Sequence, residues 1–208
     1  MCITICFILS DRIFILAPLH HLSTKGCLLP ESKTYKTQFY DLEVDDIILK
    51  DLASQGTFQM IPISHDQNEH SAELQLNFIA HVMKNVSFKI VPIYVGHIND
   101  YDKRHYSAIL APYLSNPKNL FVISSDFCHY GPSFDYEPFV ERANISDSIA
   151  QLDKEAIDAI LELSLTKFER HLSYTKNTIC GRHPIALFLS FLDYFVSTTK
   201  DVRWDNVS

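Results

Sequence analysis

Four short, almost wholly apolar runs recur along the chain: "RIFILAP" (12–18), "FQMIPIS" (58–64), "FKIVPIYVG" (88–96) and "NLFVISS" (119–125). Such a continuous run reads as a strand buried on both faces, the habit of parallel sheets. Helical patterns lie between and after them. "DDIILKDLASQG" (45–56) reads as a short helix stopped by Gly56. "SAELQLNFIAHVMKN" (71–85) sets Leu74, Phe78, Ile79, Val82 and Met83 at helical spacing, so that stripe is the predicted packing face. "DYDKRHYSAILAPYLSN" (100–116) is helical with an interruption at Pro112. Residues 139–174 are helical, with Ile145, Ile149, Leu152, Ile157, Ile160, Leu161 and Leu165 as the apolar face. A last helix over 183–199 carries Pro184 in its first turn. "SKTYKTQFYDLEV" (32–44) is more polar and reads as an edge or flanking hairpin, and the tail "KDVRWDNVS" as the start of a strand. The alternation predicts an α/β fold with a central mixed or parallel sheet flanked by helices. No repeat, low-complexity tract or linker divides the chain, so 1–208 is expected to be one domain, with 1–10 an atypical N-terminal segment.

At 208 residues, 47% apolar and 21% charged, the chain can bury a sizeable core. The net charge is −7 and no Lys/Arg block exceeds a pair, which argues against nucleic acid as a partner. Small molecules, metals or protein segments fit better. Five scattered cysteines without a C-x-x-C pair point to a reducing, intracellular compartment. The Asn-x-Ser sequons at Asn85, Asn144 and Asn206 are then chance matches. "MCITICFILS" looks like a short secretory core, but it lacks a positive leader and runs straight into a strand. No apolar run reaches the ~20 residues that cross a bilayer.

Polar chemistry gathers where the strands end. The first run leads to His20 and His21, and the second to His65, Asp66, Glu69 and His70. The third leads to His97 and Asp100, and the fourth to Asp126, Cys128 and His129. Ligands of open α/β sheets bind outside the carboxyl ends of the strands, so a polar pocket is expected at that edge. The blander reading makes His65 and His97 surface or capping residues, Asp126 a turn cap, and Cys128 a buried core thiol. Cys180 stands just before a helix start, where thiolate is favoured, with Arg182 and His183 adding to that effect. Thiolate with imidazole suits copper, zinc or iron. P-loop, GxGxxG, EF-hand and G-x-S-x-G patterns do not occur.

Taken in order, "RIFILAPLHH", "TYKTQFYDLEVD", "NEHSAELQL", "NPKNLFVISSDFCHYG" and "NTICGRHPI" resemble segments of the Memo family, the mediators of cell motility. The resemblance runs from about Asp11 to Trp204. It implies the fold of class III non-haem iron extradiol dioxygenases. It also implies motility signalling from receptor tyrosine kinases, recognition of phosphotyrosine segments, and iron or copper binding with redox consequences. It makes His20 and Cys180 metal ligands, with Asp126 and His129 in the same pocket and His21, Glu69, His70 and Arg182 beside them. Departures accompany the match. The family carries another ligand His in a "PHAGY"-like segment upstream, where this chain has "MCITICFILS", and it continues into a last strand beyond this C-terminus. Leu19 replaces a usual Ser, and Gln75 a frequent His. The expectation is a family member shortened at both ends, lacking the first strand region and the last strand, with an exposed sheet edge and marginal stability. A site missing one ligand would hold metal weakly or stay metal-free unless His21 or His129 substitutes.

Four functions follow from these residues. The first is a Memo-like signalling protein of the cytoplasm, with the nucleus also open, carrying an iron or copper pocket. The second is an extradiol-type dioxygenase, which needs two His and one carboxylate on iron; the resemblance supplies Cys180 instead, so ring cleavage is not expected. The third is a metal-free adaptor gripping a phosphotyrosine peptide through imidazoles and Arg182. Cysteine-nucleophile hydrolysis through Cys128 or Cys180 ranks last, because no base and oxyanion hole are evident around either thiol.

Overall fold

The computed structural model describes residues 10–138 and 144–199; "MCITICFIL", the tail from 200 on, and the first part of the 139–174 helical reading lie outside them. Its strands are β1 (Arg12–Pro18), β2 (Cys27–Pro30), β3 (Thr34–Tyr35), β4 (Leu42–Glu43), β5 (Gln59–Ile61), β6 (Lys89–Val95) and β7 (Asn119–Ile123). Five of them form one sheet in the order β5-β2-β6-β1-β7. β1 lies near its middle, parallel to both β6 and β7, and Ile13 through Ala17 are completely buried. That is the environment its unbroken apolar run demands. β3 and β4 make the small antiparallel hairpin expected over 32–44.

β2 was not foreseen, because four residues ending in Pro30 carry no readable period. It runs antiparallel to β6 and parallel to β5. β5 therefore points opposite to β1, β6 and β7, and its carboxyl end does not share their edge. Three strand ends share that edge, and the residues expected from the fourth, Glu69 and His70, reach it through the helix Ile63–Asp66 and the start of the helix His70–Val82.

The helices are α1 (Asp46–Ser54), α2 (Ile63–Asp66), α3 (His70–Val82), α4 (Asp100–Leu110), α5 (Ile145–Leu161), α6 (Leu165–Thr175) and α7 (Arg182–Thr198). Several of the longer ones start on a side-chain cap. Asp45 caps α1, and Asn99 with Asp102 forms a capping box on α4. α4 passes into a 3₁₀ turn, Ala111–Ser115, at Pro112. Leu163 adopts φ +52°, which breaks the expected long helix into α5 and α6, and Ser164 caps the second.

The packing faces of α3 and α5 match their apolar stripes only in part: Ile79 and Met83 are buried, and Ile149, Leu152 and Ile160 half-buried, as expected, whereas the rest of each stripe is not. On α3 the buried residues are Ser71, Ala72, Leu76, Ile79 and Ala80. Leu74, Phe78 and Val82 are 55%, 73% and 36% exposed. On α5, Ser148, Ala156 and Ala159 are buried, whereas Ile145, Ile157 and Leu161 are exposed. Small side chains let these helices lie close to their neighbours, a preference that hydrophobic spacing alone does not reveal. A Leu74→Ser/Phe78→Ser double variant is accordingly expected to keep its urea midpoint, within about 0.5 kcal/mol per substitution. Ala80→Leu is expected to lose about 1–3 kcal/mol by overpacking.

α7 supplies Leu187, Phe191 and Phe195 to the main core. Phe121 of β7 stacks on Phe14 and meets Phe191 at 5.2 Å between ring centres. A second cluster centred on Phe168 joins α5, α6 and α7. Asp66, read from sequence as part of the pocket edge, is instead buried within the fold. Its carboxylate accepts hydrogen bonds from Ser32 Oγ (2.6 Å), Tyr35 OH (2.7 Å) and Tyr94 OH (2.5 Å). Burial, reinforced by the Asp66 charge, raises both phenols well above their ordinary range.

Candidate metal centre

The chain leaves β1 at Pro18 and turns into Leu19-His20-His21, where α3 begins. Glu69 is the N-cap of α3 and accepts from Ser71 N at 3.1 Å. Its carboxylate also receives the His20 backbone N–H at 2.6 Å and lies 2.8 Å from His20 Nδ1. Ser71 Oγ donates to Pro18 O, and Ser124 Oγ donates to Ser71 O, both at 2.7 Å, so the ends of β1, α3 and β7 are tied together. Gln75 joins this knot by donating to Ser124 Oγ at 3.3 Å. His70 stacks on His20 with ring centres 4.5 Å apart, and His21 meets His70 edge-on at 6.0 Å. Burial alone would push the Glu69 carboxyl up, but the bonds from His20 and Ser71 outweigh it and hold it below the ordinary value.

Beyond β7, "SSDFCHYG" runs beside "NTICGR". Asp126 N donates to Cys180 Sγ at 3.0 Å, and Cys180 N to Asp126 O at 3.3 Å. It is the Asp126 backbone, rather than its carboxylate, that ties this turn. Gly181 N donates to Ser125 Oγ at 3.0 Å. His129 is held twice by Thr178: its N–H donates to Thr178 Oγ1 at 2.7 Å, and its Nδ1 lies 2.8 Å from Thr178 O. A carbonyl oxygen can only accept, so Nδ1 carries the proton and Nε2 keeps a free lone pair. Cys128 is half-buried, with its backbone N–H on Asp153 at 3.1 Å. Burial, then the Asp153 charge, raises its thiol, which disfavours the nucleophilic form.

Among the described residues the potential ligand atoms fall into two groups, His20/Glu69/His70 and Asp126/His129/Cys180, each with all its atoms within 4.8 Å of one another. A cavity of about 240 Å³ is lined by members of both, His20 and Cys180, together with Arg182, His183 and His97. His97 is exposed, as its reading as a surface residue expects, and also lines the cavity, its ring 5.0 Å from that of His183. His21 lies apart from this cavity, lining a separate hollow with Ser64, His65 and Asn68. Burial chiefly, then Arg182, His97 and Lys103, push His183 down to about 4, so at neutral pH its ring is uncharged and Arg182 is the cation of the cavity wall.

A histidine whose folded value is depressed stabilises the fold above its unfolded value of about 6.5, and that contribution is lost as pH falls through about 4. The metal-free protein is expected to lose urea stability across this window. His183→Gln is expected to flatten that part of the profile.

Sequence comparison with known proteins reaches nearly the whole chain. A family model described as "Memo-like protein" matches residues 8–205. The chain belongs to the Memo family. It is 39% identical over 185 residues to "Protein MEMO1" of Danio rerio, covering 88% of this chain and 62% of that protein. Against "Protein MEMO1" of Homo sapiens it is 38% identical over 185 residues, with the same two coverages. Against "Protein memo-1 homolog" of Caenorhabditis elegans it is 38% identical over 187 residues, 89% of this chain and 53% of that one. The chain thus spans a little over half the length of these relatives.

Of the residues read from sequence as pocket members, His20, Cys180 and Arg182 line one cavity; Glu69 and His70 touch His20, and Asp126 and His129 adjoin Cys180. Thr178 and Ser125 escaped notice because they act through a backbone carbonyl and a hydroxyl, which leave no motif. A Thr two residues before Cys180 is the only trace. Among the described residues no helix is long and apolar enough to cross a membrane.

Proposed function

We propose that this Memo-family chain acts in motility signalling downstream of receptor tyrosine kinases, with a pocket that binds iron or copper and serves a redox role. The observation that carries the metal reading is the donor set: a thiol, Cys180, beside Asp126 and an imidazole, His129, whose Nε2 lone pair is left free by the Thr178 carbonyl. Thiolate, imidazole and carboxylate together suit a borderline transition metal. Cys180, His129 and Asp126, which lie together, would hold the ion, and His20, which lines the same cavity as Cys180, would face it. Such an ion supplies one-electron redox chemistry. The protein's own contribution is to fix the rings and place Arg182 next to the ligands. The single Memo-like domain would adopt the extradiol-dioxygenase type of α/β sheet. Among the described residues Cys27, Cys128 and Cys180 are free thiols, and the proposed place of work is inside the cell, in cytoplasm or nucleus.

A phosphotyrosine segment of a receptor is the second reading, favoured by Arg182 at the mouth of the cavity and by the N-terminus of α7, which has no side-chain cap. Because His183 is uncharged at neutral pH, Arg182 would carry that recognition. Anaerobic Fe(II) titration tests the metal reading: the native chain is expected to take up about one ion per chain and the His20→Ala/Cys180→Ala variant none. Equal uptake by both would place the metal elsewhere. A yellow ring-cleavage product from catechol in the loaded protein would move the assignment to an extradiol enzyme.

A further inference from the structure

Glu69 is 2% exposed, and both of its oxygens are engaged. Oε2 accepts the His20 backbone N–H, and Oε1 accepts from Ser71 N while facing His20 Nδ1 at 2.8 Å. Both oxygens already accept backbone N–H bonds, so Glu69 acts here as an acceptor and the hydrogen of this contact resides on His20 Nδ1. We infer that Glu69 is a positioning residue for His20: its buried carboxylate fixes the imidazole as the Nδ1–H tautomer and leaves Nε2 as the nitrogen able to bind a metal ion. This rests on the metal reading of the pocket given above and names the group that prepares one of its ligands.

The competing role for Glu69 is that of a ligand, in an ion site shared with His20 and His70. The geometry argues against it. The two rings are nearly parallel, 15° between planes with centres 4.5 Å apart. Imidazole lone pairs lie in the ring plane, so those of two stacked rings run side by side. They do not meet at one ion about 2 Å from each nitrogen. His70 instead lies flat against one face of His20, and Glu69 holds its edge. Through its cap on α3 and the Ser71–Pro18 bond, the carboxylate is anchored to the strand end that carries His20. A carboxylate–histidine pair of this kind fixes the ring orientation and makes the far nitrogen a better donor. His129 is treated alike by the Thr178 carbonyl.

The test is long-range ¹H–¹⁵N correlation spectroscopy of the imidazoles in the full, metal-free chain at neutral pH, with His20 assigned from a His20→Gln sample. The native protein is expected to show His20 protonated at Nδ1. Glu69→Gln keeps an acceptor oxygen and is expected to retain that tautomer. Glu69→Ala is expected to shift His20 toward the Nε2–H form and to weaken Co(II) binding about 10- to 100-fold, with Glu69→Gln in between. An Nε2–H ring in the native protein, or an unchanged tautomer in Glu69→Ala, would overturn the inference. Complete loss of Co(II) in Glu69→Gln with the Nδ1–H tautomer intact would also overturn it, since that marks a ligand. If Glu69→Ala does not fold, the native and Gln spectra still decide. Should the native chain take up no Co(II), the metal reading fails alone, and the tautomer spectra still judge Glu69.

Discussion

Asp66→Ala is expected to destabilise the protein by about 3 kcal/mol or more, the largest effect of any single polar substitution proposed here. Three hydroxyls converge on this carboxylate, from Ser32, Tyr35 and Tyr94, and Tyr94 is completely buried. Removing the acceptor leaves a fully buried phenol and a largely buried one without their principal partner. Each such orphan costs about 1–3 kcal/mol, and the three are coupled, so the total is not a simple sum. Tyr94→Phe removes donor and ring hydroxyl together and leaves the carboxylate with two other donors, so it is expected to cost about 1–2 kcal/mol. Urea denaturation of both variants checks the order. An Asp66→Ala protein as stable as the parent would mean that this knot contributes nothing.

Gly181→Ala is expected to destabilise by about 1–3 kcal/mol and to spoil the pocket as well. The backbone at Gly181 is not left-handed, so the demand is for space: a Cβ there would lie 2.4 Å from Ser125 Cβ and 2.6 Å from Ser124 O. The carbonyl belongs to the end of β7 and cannot swing away. Relief requires the two segments to part, which pulls Cys180 from Asp126, now joined by a 3.0 Å bond from Asp126 N to Sγ. Fe(II) affinity is therefore expected to fall about tenfold or more alongside the loss in urea midpoint. Normal affinity in a destabilised Gly181→Ala protein would show that the spacing between 125 and 181 is not what holds the pocket together.

Much of the architecture is legible in the residues. β1 and β6 announce themselves because strands covered on both faces have no use for polar residues, β7 by its apolar run although it is a half-buried edge strand, and α7 because Pro184 and a run of large apolar residues define it. β2 is too short to show a period, and without it the reversed direction of β5 cannot be read. Apolar spacing placed Ile79 and Met83 of α3 correctly but not Leu74, Phe78 or Val82, since Ala72 and Ala80 share the buried face instead. In the pocket, His20, Asp126, His129 and Cys180 are visible as residue types at strand and helix ends. Their division into two groups, and the tethering of His129 by Thr178, depend on contacts between segments 49 positions apart. No local pattern encodes that.

The central claim is that a thiolate and imidazoles of one pocket hold a transition metal, and X-ray absorption at the edge of the bound metal tests it most directly. With iron or copper loaded anaerobically, the account predicts one sulfur neighbour at about 2.3 Å together with nitrogen and oxygen neighbours. The sulfur shell is predicted to vanish in Cys180→Ser. A coordination shell of nitrogen and oxygen alone in the native protein, or a sulfur shell that survives Cys180→Ser, would contradict it.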